Sequence, residues 1–103
     1  MLYLDAAATA PLRPEARHAM MTVLDAGPGN ASAVHTPGKT AKATLDRARQ
    51  QVAQAFGADP TEVVFTAGGT EANNLALKGI ALAHPRGKHI VTTVIEHSSI
   101  RKT

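Results

Sequence analysis

The 103-residue chain contains no cysteine and no tryptophan, and only one tyrosine and two phenylalanines. The lack of cysteine excludes disulfides, thiolate metal ligands and a thiol nucleophile within these residues. With so few aromatics, packing falls to alanine, valine and leucine. A domain of this length buries only about 65% of its unfolded surface, so a thin core is expected. No apolar run approaches the roughly 20 residues of a membrane-spanning helix. The opening Met1-Leu2-Tyr3-Leu4-Asp5 lacks the basic start and apolar stretch of a secretory leader, and a soluble, cytoplasmic protein away from membranes is expected. Charge of one sign never accumulates either. Eleven Lys and Arg are scattered among eight Asp and Glu for a net charge of +3, and the longest basic run is Arg101-Lys102. Nucleic acid is not an expected partner, because Tyr3, Phe56 and Phe65 stand in apolar surroundings and are not interleaved with cations. His18, His84 and His89 do not cluster, so no metal site is expected.

What is present reads as alternating helices and short apolar segments. Leu2-Tyr3-Leu4 and the small residues up to Pro11 suggest an extended arm over residues 1–12. Pro14 suits a first helical position, Glu15 a first turn, and Ala16, Ala19, Met20, Val23 and Leu24 recur at helical spacing until Gly27. From Gly27 to Gly38 the chain is rich in Gly, Pro, Asn and Ser, a loop long enough to serve a site. Ala41, Leu45, Ala48, Val52 and Phe56 then form the apolar stripe of a second helix, ended by Gly57. After Asp59-Pro60, Val63-Val64-Phe65-Thr66 has the unbroken apolar character of a strand covered on both faces. Residues Ala72 to Ala83 predict a helix apolar on most sides and hence largely buried. His84-Pro85-Arg86-Gly87 breaks it, and His89 to Val94 predicts a second strand rich in β-branched residues. Strand, helix, strand is a parallel crossover, and a further helix is expected from Ser98 or Ser99. The fold class is therefore α/β, with residues 13–103 forming the first and incomplete part of a mostly parallel sheet flanked by helices.

Thr66-Ala67-Gly68-Gly69-Thr70 lies where the first expected strand gives way to a helix. In open parallel sheets, ligands bind beyond the carboxyl ends of strands. The free N–H groups of a helix start, with about half a positive charge from the macrodipole, can hold a phosphate without any basic side chain. Thr70 adds a hydroxyl. An alternative is purely structural: the glycines make the turn and Thr70 caps its own helix. The two readings are evenly balanced on the turn alone. A Walker loop requires Gly-Lys-Ser/Thr, whereas Gly69 is followed by Thr70 and Glu71. A dinucleotide fingerprint requires a third glycine, where Ala72 or Asn73 stands. Neither nucleotide motif fits.

The string TAGGTEANNLAL from Thr66 to Leu77 resembles the signature turn of the cysteine desulfurases, pyridoxal-phosphate enzymes of the class V aminotransferase superfamily. YLDAAATAPL resembles their N-terminal arm, GNASAVHTPGKTAK their glycine-asparagine loop and next helix, and KHIVTTVIEHSSI the following strand ending in Glu-His. These matches occur in order over nearly the whole chain. The resemblance implies the large domain of a fold-type I enzyme and pyridoxal 5′-phosphate as cofactor. It implies that Gly69 and Thr70 hold the cofactor phosphate, and that His97 stacks on the pyridine ring and serves proton transfer. It further implies L-cysteine as substrate, persulfide sulfur transfer of the kind used in iron–sulfur cluster assembly, a homodimer, and a sulfur-acceptor or scaffold partner. His35 matches a family position, but a loop hydrogen bond explains it equally well. Asn73 and Asn74 are expected to cap or brace their helix. None of Lys39, Lys42, Lys78, Lys88 and Lys102 has the context of the family's cofactor-anchoring lysine, and the sulfur-accepting cysteine is absent. The expectation is thus an N-terminal portion of such an enzyme, inactive by itself. A class V aminotransferase, a selenocysteine lyase and a non-catalytic binding module are the alternatives.

Overall fold

A computed structural model describes residues 2–83, 87 and 89–103. Its helices are α1 (Pro14–Asp25), α2 (Thr36–Phe56), α3 (Gly69–Ala83) and α4 (Ser98–Arg101), with a short 3₁₀ turn at Pro60–Glu62. The chain divides into two units, Met1–Pro60 and Thr61–Thr103.

In the first unit, Pro14 opens α1, where its missing N–H is no loss because a first-turn N–H has no helical partner. Gly27, at φ 87°, follows the helix end at Asp25 in a conformation only glycine adopts cheaply. The second helix begins at Thr36, five residues before the apolar stripe that betrays it in the sequence. Pro37 fits its first turn, and the His35 side chain caps it by accepting a bond from the Gly38 N–H at 3.3 Å. The loop before it is tied to itself. Asn30 accepts from the Ser32 N–H through its side chain and from the Ala33 N–H through its carbonyl, each at 2.9 Å. Gly38 is buried against this loop, and a Cβ there would collide with the Ala33 carbonyl oxygen and lie 2.8 Å from that of Asn30. The left-handed Gly57, at φ 65°, ends α2 and donates to the Gln54 carbonyl.

The second unit departs from expectation in two ways. Val63-Val64-Phe65-Thr66 and the described residues 89–94 lie where strands were expected, yet among the described residues no strand is present. A strand exists only through a ladder with a neighbour, and the sheet is therefore not formed within these residues. The helix α3 was expected to be largely buried, but none of its residues is. Leu82 is 81% exposed and Val91 94% exposed. The physical reason is the thin core foreseen from composition. Ala53 is the one buried apolar side chain among the described residues, and the apolar residues that could cover these faces are themselves exposed. The expected helix break spans His84, Pro85 and Arg86, which lie outside the described residues, as does Lys88.

Substituting Gly38→Ala is expected to lower stability by about 1–3 kcal/mol, since the contacting atoms are backbone carbonyls that cannot swing aside. Thermal unfolding followed by circular dichroism should show a midpoint several degrees lower, and an unchanged midpoint would contradict the close packing of this loop.

Candidate functional site

The α3 start is set by Gly68, whose carbonyl accepts from the Ala72 N–H at 3.1 Å. Gly69, Thr70 and Glu71 therefore occupy the first turn, where backbone N–H groups have no partner within the helix. Glu71 turns its carboxylate back onto the Ala67 N–H at 2.7 Å, and the Thr66 hydroxyl donates to the Gly68 carbonyl at 3.2 Å. The Glu71 carboxylate is thus engaged just outside the helix start, and the N–H groups of Gly69 and Thr70 have no partner within the helix.

The glycines themselves are informative. Neither Gly68 nor Gly69 has the positive φ that would demand glycine. A Cβ on either would meet nothing within 4 Å. Among the described residues, turn geometry and packing supply no reason for glycine at these two positions, whereas the open space beside the backbone suits close approach by a ligand.

His97 is the N-cap of α4. Its Nδ1 accepts from the Ser99 N–H at 3.1 Å and lies 2.8 Å from the Ser99 hydroxyl. Ser99 is 8% exposed, while the His97 ring is exposed. The Ser99 hydroxyl also accepts from Asn73 Nδ2 at 2.8 Å, which joins α3 to the His97 turn. Asn73 and Thr70 are three residues apart on α3 and so share a face. A cavity of about 250 Å³ is lined by Thr70, Asn74, Ser98, Ser99, Lys102 and Thr103. Thr70 and the residue holding His97 therefore border one space. Asn74 acts differently from its neighbour, donating to the Thr70 carbonyl within the helix at 2.9 Å.

The structure thus draws the surroundings of Gly69, Thr70 and His97 into one unit. The Asn73–Ser99 bond went unread in the sequence. In the sequence Asn73 reads as a cap or brace for its own helix, while the helix expected from Ser98 or Ser99 does begin at Ser98. His35 takes the loop hydrogen bond that was one of its two readings, and lies in the other unit. Among the described residues no three His, Cys, Asp or Glu side chains are placed to hold a metal ion, and no helix is long and apolar enough to cross a membrane.

Residues 2–103 match the family model described as aminotransferase class-V. The chain is 45% identical over 100 residues to the cysteine desulfurase IscS of Dictyoglomus turgidum, covering 96% of this chain and 25% of that protein. It is 48% identical over 104 residues to the IscS-like cysteine desulfurase of Mycobacterium tuberculosis, covering 97% of this chain and 26% of the relative. Against the cysteine desulfurase of Homo sapiens, identity is 46% over 101 residues, with 96% and 22% covered. The chain spans about a quarter of the length of these curated relatives.

Replacing Glu71 with alanine should release the Ala67 amide. Hydrogen exchange at Ala67, followed by NMR, is expected to accelerate clearly relative to amides in the middle of α3, with at most about 1 kcal/mol lost in overall stability. An Ala67 amide that exchanges equally slowly in the variant would contradict the carboxylate's role.

Proposed function

This chain belongs to the aminotransferase class-V family, and we propose that the α3 start and the His97 turn are part of the pyridoxal 5′-phosphate site of a cysteine desulfurase. One observation supports this reading above the others. Asn73, on the Thr70 face of α3, is hydrogen-bonded through Ser99 to His97, so both elements of the candidate site belong to one connected piece of structure.

The backbone N–H groups of Gly69 and Thr70 and the Thr70 hydroxyl bind the phosphate, assisted by the positive end of the α3 dipole. Lys102, on the wall of the same cavity, adds a cation nearby. The cavity, about 250 Å³, is smaller than the roughly 300–1,000 Å³ of a complete small-molecule pocket. It suits one end of the cofactor, with the remainder enclosed by other parts of the whole protein. The exposed His97 ring would lie against the pyridine ring when the cofactor is bound, and its outward nitrogen would hold or move a proton there. When bound, the cofactor supplies the electron sink for chemistry at an amino-acid carbon.

For the whole protein we propose L-cysteine as substrate, alanine as product and sulfur carried away as a persulfide. This chain contains no cysteine, so it cannot by itself accept the sulfur, and it is expected to be inactive alone. In this reading residues 1–12 are an arm and residues 13–103 the first part of the cofactor-binding large domain. The segments 63–66 and 89–94 enter a mostly parallel sheet with strands from the remaining length of the protein. The exposure of Val64, Ile90, Val91 and Val94 supports that partnership. A homodimer, a sulfur-accepting or scaffold protein, and a cytoplasmic location complete the proposal.

Titration with pyridoxal phosphate and, separately, with pyridoxal tests the phosphate role. The Thr70→Ala variant should lose about 10-fold to 100-fold in affinity for pyridoxal phosphate, the worth of a hydrogen bond to a charged group, with little change toward pyridoxal. Equal affinity of both proteins for pyridoxal phosphate, read by absorbance and fluorescence, would count against it.

A further inference from the structure

We propose that Ser99 and Asn73 are positioning residues for His97, a directional chain of hydrogen bonds that fixes the imidazole as its Nε2–H tautomer and sets the plane of the ring. The inference rests on the reading in which His97 faces the cofactor, and gives that ring a mechanism of orientation.

The direction of the chain follows from the one group in it that cannot be reversed. A backbone N–H can only donate, and the Ser99 N–H points at His97 Nδ1 from 3.1 Å. That nitrogen must accept, so in the neutral ring the proton sits on Nε2. The Ser99 hydroxyl lies 2.8 Å from the same Nδ1. With Nδ1 an acceptor, the hydroxyl has to donate to it, which uses its single hydrogen. The remaining contact of that oxygen, 2.8 Å from the Asn73 side chain, can then only be an acceptance from the Asn73 amide. Each step is forced by the one before, and the assignment of the Asn73 amide follows from the network.

Two donors converge on Nδ1 from one residue, and that residue is itself held at both ends. Ser99 is 8% exposed, its hydroxyl is gripped by α3 through Asn73, and its carbonyl accepts from the Thr103 hydroxyl at 2.6 Å. An exposed ring is thereby tethered to a buried anchor. Nε2 becomes the nitrogen available to a bound molecule, and it presents a hydrogen-bond donor. Because Asn73 lies one turn beyond Thr70 on the same face of α3, the helix that offers the phosphate turn also sets the ring's orientation.

Long-range proton–nitrogen NMR of the intact chain, at a pH well above the ordinary histidine range, reads the tautomer directly. His18, exposed on α1, serves as the reference in the same spectrum. His97 is expected to be a single Nε2–H tautomer with its Nδ1 resonance displaced toward a hydrogen-bonded acceptor. Ser99→Ala removes the hydroxyl donor but keeps the residue-99 N–H, so the Nδ1 resonance should lose part of its displacement while the Nε2–H tautomer persists, and Ser99→Thr should restore the displacement. Asn73→Asp provides a nearly isosteric second test. Its carboxylate accepts the Ser99 hydroxyl hydrogen, so the Nδ1 resonance should shift as in Ser99→Ala while the amide shifts of α3 persist. A wild-type His97 that matches His18 or shows Nδ1–H would overturn the proposal. So would variants that leave the His97 resonances unchanged. Failure of pyridoxal phosphate to bind would leave these signals in place, so the cofactor reading and the positioning role fail separately.

Discussion

The hydrogen bond from Asn73 to Ser99 is the contact on which the candidate site depends. The turn at the start of α3 and the turn at His97 are separated by more than twenty residues of sequence. With almost no apolar side chain buried among the described residues, they are related by a polar contact between α3 and α4 and by the short Ser99-His97 cap. A buried hydroxyl left without its partner costs about 1–3 kcal/mol. Ser99, buried and satisfied on both sides, therefore favours one relative placement of the two turns. The geometry of the site rests on hydrogen bonding more than on a hydrophobic core.

Around that bond, helix-end electrostatics define the chemistry. Gly68 fixes where α3 begins, Glu71 engages the Ala67 amide, and the first-turn N–H groups carry the positive end of the dipole into open space. The cavity between Thr70 and Ser99 places this potential beside the residue that orients His97. A phosphate at one end and an aromatic ring at the other are the features of pyridoxal phosphate that the proposed site would address.

The sequence made the local features legible because their signals are local. Pro14 and Gly27 bracket α1, Gly57 ends α2 in a left-handed cap, and the glycine pair before Thr70 announces α3. The features it concealed depend on distant residues. Thr36 to Gly38 look like loop because they carry proline and glycine, yet the His35 cap draws them into α2. Residues 63–66 and 89–94 carry strand composition without a strand among the described residues, since apolar, β-branched character proposes a strand while only a neighbouring chain completes one. The burial expected of α3 failed for the same reason, because its apolar faces require partners beyond those that the described residues supply. Gly69, Thr70 and His97 are proposed as site residues from the motif, but the Asn73–Ser99 link arises only in three dimensions.

The α3 start and His97 are proposed to address one bound molecule. Titrating the isotopically labelled chain with pyridoxal phosphate, and recording the Thr70 amide and the His97 ring together, tests this most directly. Both sets of resonances are expected to move with a single shared dissociation constant. Movement of the Thr70 amide with an unperturbed His97 ring, or two different constants, would contradict a shared site.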